Sequence, residues 1–163
     1  MKLRLLKNLV LVGIIGVFAV SCMDEVDPYE PPTKAEELEL LDSYLAQLED
    51  SGLDVDTTDL GVYYVVDSIG EGAFPMDGDT CTVNYTGFFL NGDVFDRSGA
   101  NPFSLVLGEQ MVISGWEDGL KVLNKGAKGY LVIPSNLAYG ENGYSSIPPN
   151  TTIVFNIEML DIE

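Results

Sequence analysis

The chain of 163 residues contains no histidine. Catalysis through an imidazole base, as in the serine and cysteine hydrolases, is therefore excluded. The usual zinc ligand sets lose their commonest member. Only two cysteines are present, Cys22 and Cys81, so no dense disulfide framework exists. Basic residues are scarce: eight Lys and Arg stand against 26 Asp and Glu. Nucleic-acid binding is disfavoured by that balance, because phosphate contacts need clustered cations. Uncharged apolar runs are short as well. The longest, Leu9 to Val20, has twelve residues, too few to span a bilayer as a helix.

That run has another use. Lys2, Arg4 and Lys7 precede it, and Ala19-Val20-Ser21-Cys22 ends it. A basic head, an apolar middle and small residues form a secretory signal over residues 1–21. Small residues directly before a cysteine resemble the bacterial lipobox. There the cysteine is lipidated and becomes the first residue of the mature protein, although Ala19 stands where leucine is commonest. Removing the signal leaves five basic residues against 26 acidic ones, a net charge of −21. Lipidated Cys22 leaves Cys81 without an intrachain partner. Cys81 lies in an alternating stretch, so it is expected to be a small buried apolar residue.

Residues 22–33 form an acidic tether kept extended by Pro28, Pro31 and Pro32. Met23-Asp24-Glu25-Val26-Asp27 has two readings, an acidic export signal like those of Bacteroidetes surface lipoproteins or a plain solvated tether. Thr33-Lys34-Ala35-Glu36 fits a capping box, which predicts a helix from there to about Asp50 with a stop at Ser51-Gly52. Leu38, Leu41, Leu45 and Leu48, with Tyr44 beside them, make one stripe. The stripe either packs on the C-terminal part of the chain or pairs with a second copy as a weak dimer through residues 34–50; two heptads favour packing or loose tethering. Asp54 to Leu60 reads as a linker, so residues 34–60 stand apart from a compact domain over 61–163.

Within that domain, Val62 to Val66 is β-branched and aromatic. Cys81, Val83, Tyr85 and Gly87 alternate with polar residues, the period of a strand with one dry face. Asn91-Gly92 suits a hairpin turn, and Val94-Phe95-Asp96 returns from it. Phe103 to Leu107, Ala127 to Ile133 and Thr152 to Ile162 read as further strands, the last with Ile153, Phe155, Ile157 and Met159 on one face. Gly115 to Leu123 is the single short helix, with the only tryptophan, Trp116, near its start. Strands with one helix predict an α+β domain, an antiparallel sheet folded against that helix.

Seven stretches then fall in register with one family. They are Val83-Asn84-Tyr85-Thr86-Gly87; Asn91-Gly92 with Val94-Phe95-Asp96; Pro102 to Gly108; Val112-Ile113-Ser114-Gly115-Trp116; Ile133-Pro134-Ser135; Ala138-Tyr139-Gly140; and Ile147-Pro148-Pro149-Asn150 with Val154-Phe155. Their order and spacing resemble the FKBP-type peptidyl-prolyl cis–trans isomerases. With its lipid signal, acidic tether and leading helix, the whole chain is similar to secreted FKBP lipoproteins of Bacteroidetes.

The resemblance implies a curved antiparallel sheet of five or six strands around one short helix, preceded here by a separate N-terminal helix. It implies a catalytic set of Tyr85, Asp96, Trp116, Tyr139 and Phe155. Phe95, Phe103, Val112, Ile113, Tyr144 and Ile147 would contact the substrate. Trp116 would be the floor under a proline ring. The Ile113 N–H and the Tyr139 hydroxyl would bond substrate carbonyls, and Tyr144 would sit at the rim. Asp96, the one charge in an apolar set, is expected to be buried and to accept bonds from Tyr85 and Arg97. The segment from Arg97 to Asn101 and the loop from Gly140 to Ile147 are shorter than in many relatives, and Glu141 adds charge at the mouth. None of these departures removes a wall residue.

The implied activity is rotation about X-Pro bonds in exported polypeptides, with no metal and no cofactor. The other reading is a non-catalytic module that binds proline peptides or a partner. Location would be the bacterial cell envelope, with the protein held to the outer membrane by lipid on Cys22. Cys22→Ser should release it from membranes into the soluble fraction, read by fractionation and immunoblot; continued sedimentation with membranes would refute the lipid anchor.

Overall fold

The computed structural model describes residues 30–163. The signal, Cys22 and residues 22–29 of the tether lie outside the described residues. The first element is helix α1, Lys34–Asp50. Its capping box is present in full: the Glu36 N–H donates to the Thr33 hydroxyl, and the Thr33 N–H donates to the Glu36 carboxylate. These bonds satisfy donors that a helix start otherwise leaves bare.

The strands are β1 Asp56–Thr57, β2 Tyr63–Ser68, β3 Thr80–Phe89, β4 Val94–Arg97, β5 Phe103–Val106, β6 Lys128–Ile133 and β7 Ile153–Ile162. All pair antiparallel in one sheet of order β1-β2-β6-β7-β3-β4, and β5 also pairs with β3. Strands β4 and β5 occupy successive stretches of the same β3 edge, β5 along Thr80 to Val83 and β4 along Thr86 to Phe88. The sheet is thus six strands wide but built from seven segments. The extra one is β1, a two-residue piece inside the stretch read as a linker.

Helix α2, Ser114–Gly119, runs on as a 3-10 turn through Leu120–Val122. It lies against β6 more closely than a side chain would permit. A Cβ on Gly119 would come within 2.6 Å of Leu131 Cδ1, and one on Gly115 would collide with Ile133. The glycines on either side of Trp116 set this spacing. The main core lies between α2 and the concave sheet face. Val83, Leu105, Leu120, Leu131, Ile133, Ile157 and Met159 are all buried there. Cys81 is in the same cluster and fully buried; burial, with the charges of Asp79 and Glu117, pushes its thiol up to about 11. It packs as an inert apolar residue.

The leading helix is not separate. Leu41 is 3% exposed and clusters with Val132 of β6 and Val154 of β7, while Tyr44, Leu45, Leu48, Tyr63, Phe88, Leu90 and Tyr130 close around them. These strand residues face away from the main core. In β6 and β7 the positions between the inward side chains are apolar too, Leu131-Val132-Ile133 and Ile153-Val154-Phe155. A strand with two dry faces needs cover on both, and α1 supplies the second. Most of the predicted stripe lies on the sheet; Leu38 alone is left out, 47% exposed. The compact body therefore starts at α1 and not at Gly61.

Burial of Leu41 gives this docking a measurable energy. Leu41→Ala removes the buried side chain and leaves a cavity, so urea unfolding should show a loss of about 2–4 kcal/mol. A loss under about 0.5 kcal/mol would mean that α1 is only loosely attached.

Candidate active site

Trp116 begins its helix just after Ile113, whose carbonyl accepts from the Trp116 and Glu117 N–H groups at 2.9 and 3.2 Å. The indole is 4% exposed. Three rings stand nearly perpendicular to it: Tyr85 at 5.1 Å and 88°, Phe155 at 5.0 Å and 85°, and Phe103 at 6.0 Å and 75°. Edge-to-face contact matches the positive ring edge to the negative ring face. Tyr85 comes from β3, Phe103 from β5 and Phe155 from β7, so the sheet supplies the walls and α2 the floor.

These rings enclose a hollow of about 200 Å³ that is completed by Asp96, Met111, Val112, Ile113 and Tyr139. Larger hollows exist, including one of about 550 Å³ between α1, the β3–β4 turn and the 146–152 stretch. Size does not select the site. Among the described residues, the smaller hollow alone combines an indole floor, upright aromatic walls and a hydrogen-bonded carboxylate.

Asp96 lies at the mouth. The Tyr85 hydroxyl donates to one carboxylate oxygen at 2.8 Å, and the Arg97 backbone N–H donates to the other at 2.8 Å. Contrary to expectation the aspartate is exposed. Its strand β4 is an edge strand of four residues, so the carboxylate stays in water while its bonds hold it over the hollow. Ser98, within the shortened 97–101 segment, locks the Tyr85 backbone from both sides. Its hydroxyl accepts from the Tyr85 N–H and its N–H donates to the Tyr85 carbonyl, both at 3.1 Å.

Tyr139 is half-buried, with backbone φ −110° and ψ 0°, in the sparsely allowed bridge region where many active-site residues sit. Its ring stacks on Tyr144 at 5.3 Å and 13°. Burial, then the charge of Asp96, then Tyr144 raise its phenol above the ordinary range, so the hydroxyl stays a donor. Ile113 has extended φ and ψ of −60° and 149°. Among the described residues its N–H donates to no acceptor.

Eight of the eleven residues assigned from sequence line this hollow: Tyr85, Asp96, Phe103, Val112, Ile113, Trp116, Tyr139 and Phe155. Three do not. Phe95 lies behind the wall, packed on Phe89 at 5.0 Å and Phe155 at 5.6 Å. Gly87 makes room for it, since a Cβ there would lie 2.7 Å from both Phe95 and Phe155. Ile147 is 6% exposed and tied to Tyr144 by paired backbone bonds of 2.8 Å, beneath the loop. Tyr144 is 66% exposed and braces Tyr139 from outside. Met111 is a wall that sequence reasoning missed; its place just before Val112 in the same loop was the available signal.

Residues 71–160 match the model of the FKBP-type peptidyl-prolyl cis-trans isomerases. The chain belongs to this family. It is 45% identical over 109 residues to the FKBP-type peptidyl-prolyl cis-trans isomerase FkpA of Escherichia coli K12, covering 67% of this chain and 40% of that protein. A probable FKBP-type isomerase of Haemophilus influenzae is 43% identical over 112 residues, 68% of this chain and 46% of that one. The chain thus spans less than half the length of these relatives. The crystal structure of E. coli FkpA superposes with a TM-score of 0.67 at 39% identity, covering 80% of this chain and 62% of that chain. A peptidyl-prolyl isomerase structure from Pseudomonas syringae pv. tomato gives 0.70 at 32%, covering 83% and 98%. The family fold is therefore shared.

The Tyr85–Asp96 bond has a measurable signature. Burial, the hydrogen bond to Asp96 and its charge push the Tyr85 phenol up to about 12 from an ordinary 10. The folded state thus holds this proton more tightly than the unfolded chain. Stability from this source is complete below about pH 10 and is lost as pH rises through about 12. Urea midpoints should fall between about pH 9 and about pH 11, and fall less in Tyr85→Phe. Equal falls in both proteins would mean that the phenol ionises normally.

Proposed function

We propose that this chain is a peptidyl-prolyl cis–trans isomerase that speeds X-Pro rotation in exported polypeptides, and that the hollow over Trp116 is its active site. The carrying observation is the indole floor with three rings upright on it, beneath a mouth that holds Asp96 and Tyr139. Such a hollow fits one small apolar ring and excludes water from around it.

The chemistry needs little else. Rotation about a prolyl bond breaks no covalent bond and needs neither nucleophile nor base. Its barrier of ~20 kcal/mol is the amide resonance lost as the bond twists. A twisted amide is less polar than a planar one. Placing the bond against apolar rings therefore disfavours the planar form relative to the twisted one. In this reading the proline ring lies on Trp116 between Tyr85, Phe103 and Phe155. Val112 and Met111 flank it, and Phe95 and Ile147 hold walls and loop in place. The Ile113 N–H and the Tyr139 hydroxyl hold flanking carbonyls, and Tyr144 limits access at the rim. Asp96, fixed by Tyr85 and the Arg97 N–H, presents negative charge to the amide as it loses its planar polarity.

The signal and Cys22 support a place on the bacterial cell envelope, lipid-anchored at the outer membrane, with proline-containing polypeptides as partners. The acidic body would be repelled from anionic lipid heads, so the tether would hold the site away from the bilayer.

A proline-peptide isomerisation assay on the full chain tests the proposal, because uncatalysed exchange takes tens of seconds or more. Tyr139→Phe, losing one hydrogen bond of ~1 kcal/mol, should slow turnover about fivefold. Trp116→Ala should lower it much further, and unchanged rates from that variant would remove the indole from the mechanism. No acceleration by wild type at micromolar concentration would leave a proline-binding module without catalysis.

A further inference from the structure

Between β6 and β7 the chain makes a long excursion, residues 134–152, which carries Tyr139, Tyr144 and Ile147. It contains no strand and no α-helix, only 3-10 turns at Ser135–Leu137 and Gly140–Asn142. Its internal backbone bonds are few and mostly local: Leu137 N–H to Pro134, Ala138 N–H to Ser135, the Tyr144–Ile147 pair, and, across the loop, Asn150 N–H to Gly140. Such a loop would ordinarily hold a side chain loosely.

Both of its feet are fixed by one side chain from outside the domain's core. Glu37 of α1 is 2% exposed. One carboxylate oxygen accepts from the Ser135 backbone N–H at 2.6 Å and from the Thr152 hydroxyl at 2.8 Å. The other accepts from the Ser135 hydroxyl at 2.6 Å and from Lys34 Nζ at 2.7 Å. Ser135 opens the loop and Thr152 closes it. A third tie runs beside them, from Asn150 Nδ2 to the Pro32 carbonyl at 2.9 Å, just before the helix. On the pocket side the Leu137 carbonyl accepts from the Ser114 hydroxyl at 3.2 Å, linking the same loop to α2.

A buried carboxylate is tolerated only when its oxygens are satisfied. Glu37 has four donors, two of them neutral hydroxyls at opposite ends of one loop. Docking of α1 alone would not require this, because the Leu41 cluster already holds the helix. Burial by itself would push the acid up; the bonds from Lys34, Ser135 and Thr152 outweigh it and hold the group below the usual glutamate range. Glu37 is therefore charged at neutral pH, and the strongest form of each bond applies.

Taking the isomerase reading above as given, we propose that Glu37 is a positioning residue for catalysis: it clamps both feet of the 134–152 loop and so places the Tyr139 hydroxyl over the prolyl site. The leading helix is then part of the active site's support, a role the isomerase sheet fills with no residue of its own.

The test is a double-mutant cycle on the full chain with Glu37→Gln and Tyr139→Phe. Glutamine keeps the shape but brings an amide donor against hydroxyl and N–H donors. If the clamp works through Tyr139, Glu37→Gln lowers kcat/KM about fivefold, mainly through kcat as in Tyr139→Phe, and lowers it less than twofold in the Tyr139→Phe background. A drop of the same size in both backgrounds, or none in either, overturns the proposal. Should Glu37→Gln fail to fold, Thr152→Val removes one tie while keeping the side chain's shape, and the same loss of effect in Tyr139→Phe is expected. Amide hydrogen exchange provides a readout that does not depend on turnover. Exchange at Ala138, Tyr144, Ile147 and Asn150 should quicken more than tenfold in the Glu37 variant while β3 and β7 keep their protection. Unchanged or uniformly faster exchange overturns the clamp. An inactive wild type, with the loop-confined change still seen in the Glu37 variant, would refute the isomerase reading and leave the clamp standing.

Discussion

The constraint beneath the rest of this structure is the distance between α2 and β6. Gly115 and Gly119 bring the helix so near Ile133 and Leu131 that no Cβ fits between them. That approach lowers Trp116 into the concave face until its ring meets the edges of Tyr85, Phe103 and Phe155 at close to right angles. A helix held further out would leave a gap under the indole that main-core side chains would fill. The hollow exists because the floor is pinned from below by close approach of the helix backbone to β6, while the walls come from three different strands and cannot close over it.

The sheet carries this load from two sides. Its concave face holds the floor and walls, and its convex face is covered by α1 through Leu41, Val132 and Val154. The covers act on the same two strands, β6 and β7, whose alternating side chains point to opposite faces. Consequently the helix that precedes the domain and the helix within it are separated by only a single layer of sheet. Glu37 exploits that closeness at the strand ends, where β6 gives way to the loop at Ser135 and the loop returns to β7 at Thr152. A mutation on the outer helix can therefore reach the pocket without any change in the pocket's own residues.

Much of this was legible in the sequence, and the exceptions have physical causes. The capping box, the alternating β3 and the lone tryptophan each carry a strong local period or a rare residue type, and each fell where expected. The Tyr85–Asp96 bond was anticipated because a charge in an apolar set demands a donor; its exposure was not, since the edge position of a four-residue strand depends on tertiary pairing. The leucine stripe of α1 already favoured packing on the domain or loose tethering, but the sheet face it covers was harder to foresee. The sign of it was Val132 and Val154, apolar residues at positions where a one-sided strand would be polar, but the inward face was the easier pattern to read. Glu37 gave no sign at all. An acid in the first turn of a helix is expected in solvent, beside the positive helix end. Only the fold brings Ser135 and Thr152, 98 and 115 residues away in the chain, to the same carboxylate. Phe95 was misplaced for a related reason: its turn toward Phe89 and Phe155, behind the wall, is set by tertiary packing that a four-residue strand does not reveal.

A site that speeds a rotation faces a different design problem from one that speeds bond breaking. It needs no group poised to gain or lose a proton near neutrality. The chain's lack of histidine is thus no handicap, and the raised phenols of Tyr85 and Tyr139 fit the same logic. Burial and the nearby Asp96 charge keep both hydroxyls protonated, so they serve as fixed donors over the whole physiological range. What such a site does need is rigidity in its aromatic walls and accuracy in one or two hydrogen bonds, because a carbonyl held in the wrong place would rotate with the bond rather than against it. The walls obtain rigidity from strands paired into one sheet. Tyr139, on a loop without strands, lacks that source. Among the described residues, the only side chain that ties both feet of its loop to a regular element is Glu37, so in the proposed isomerase the placement of the Tyr139 hydroxyl depends on a helix on the far side of the sheet.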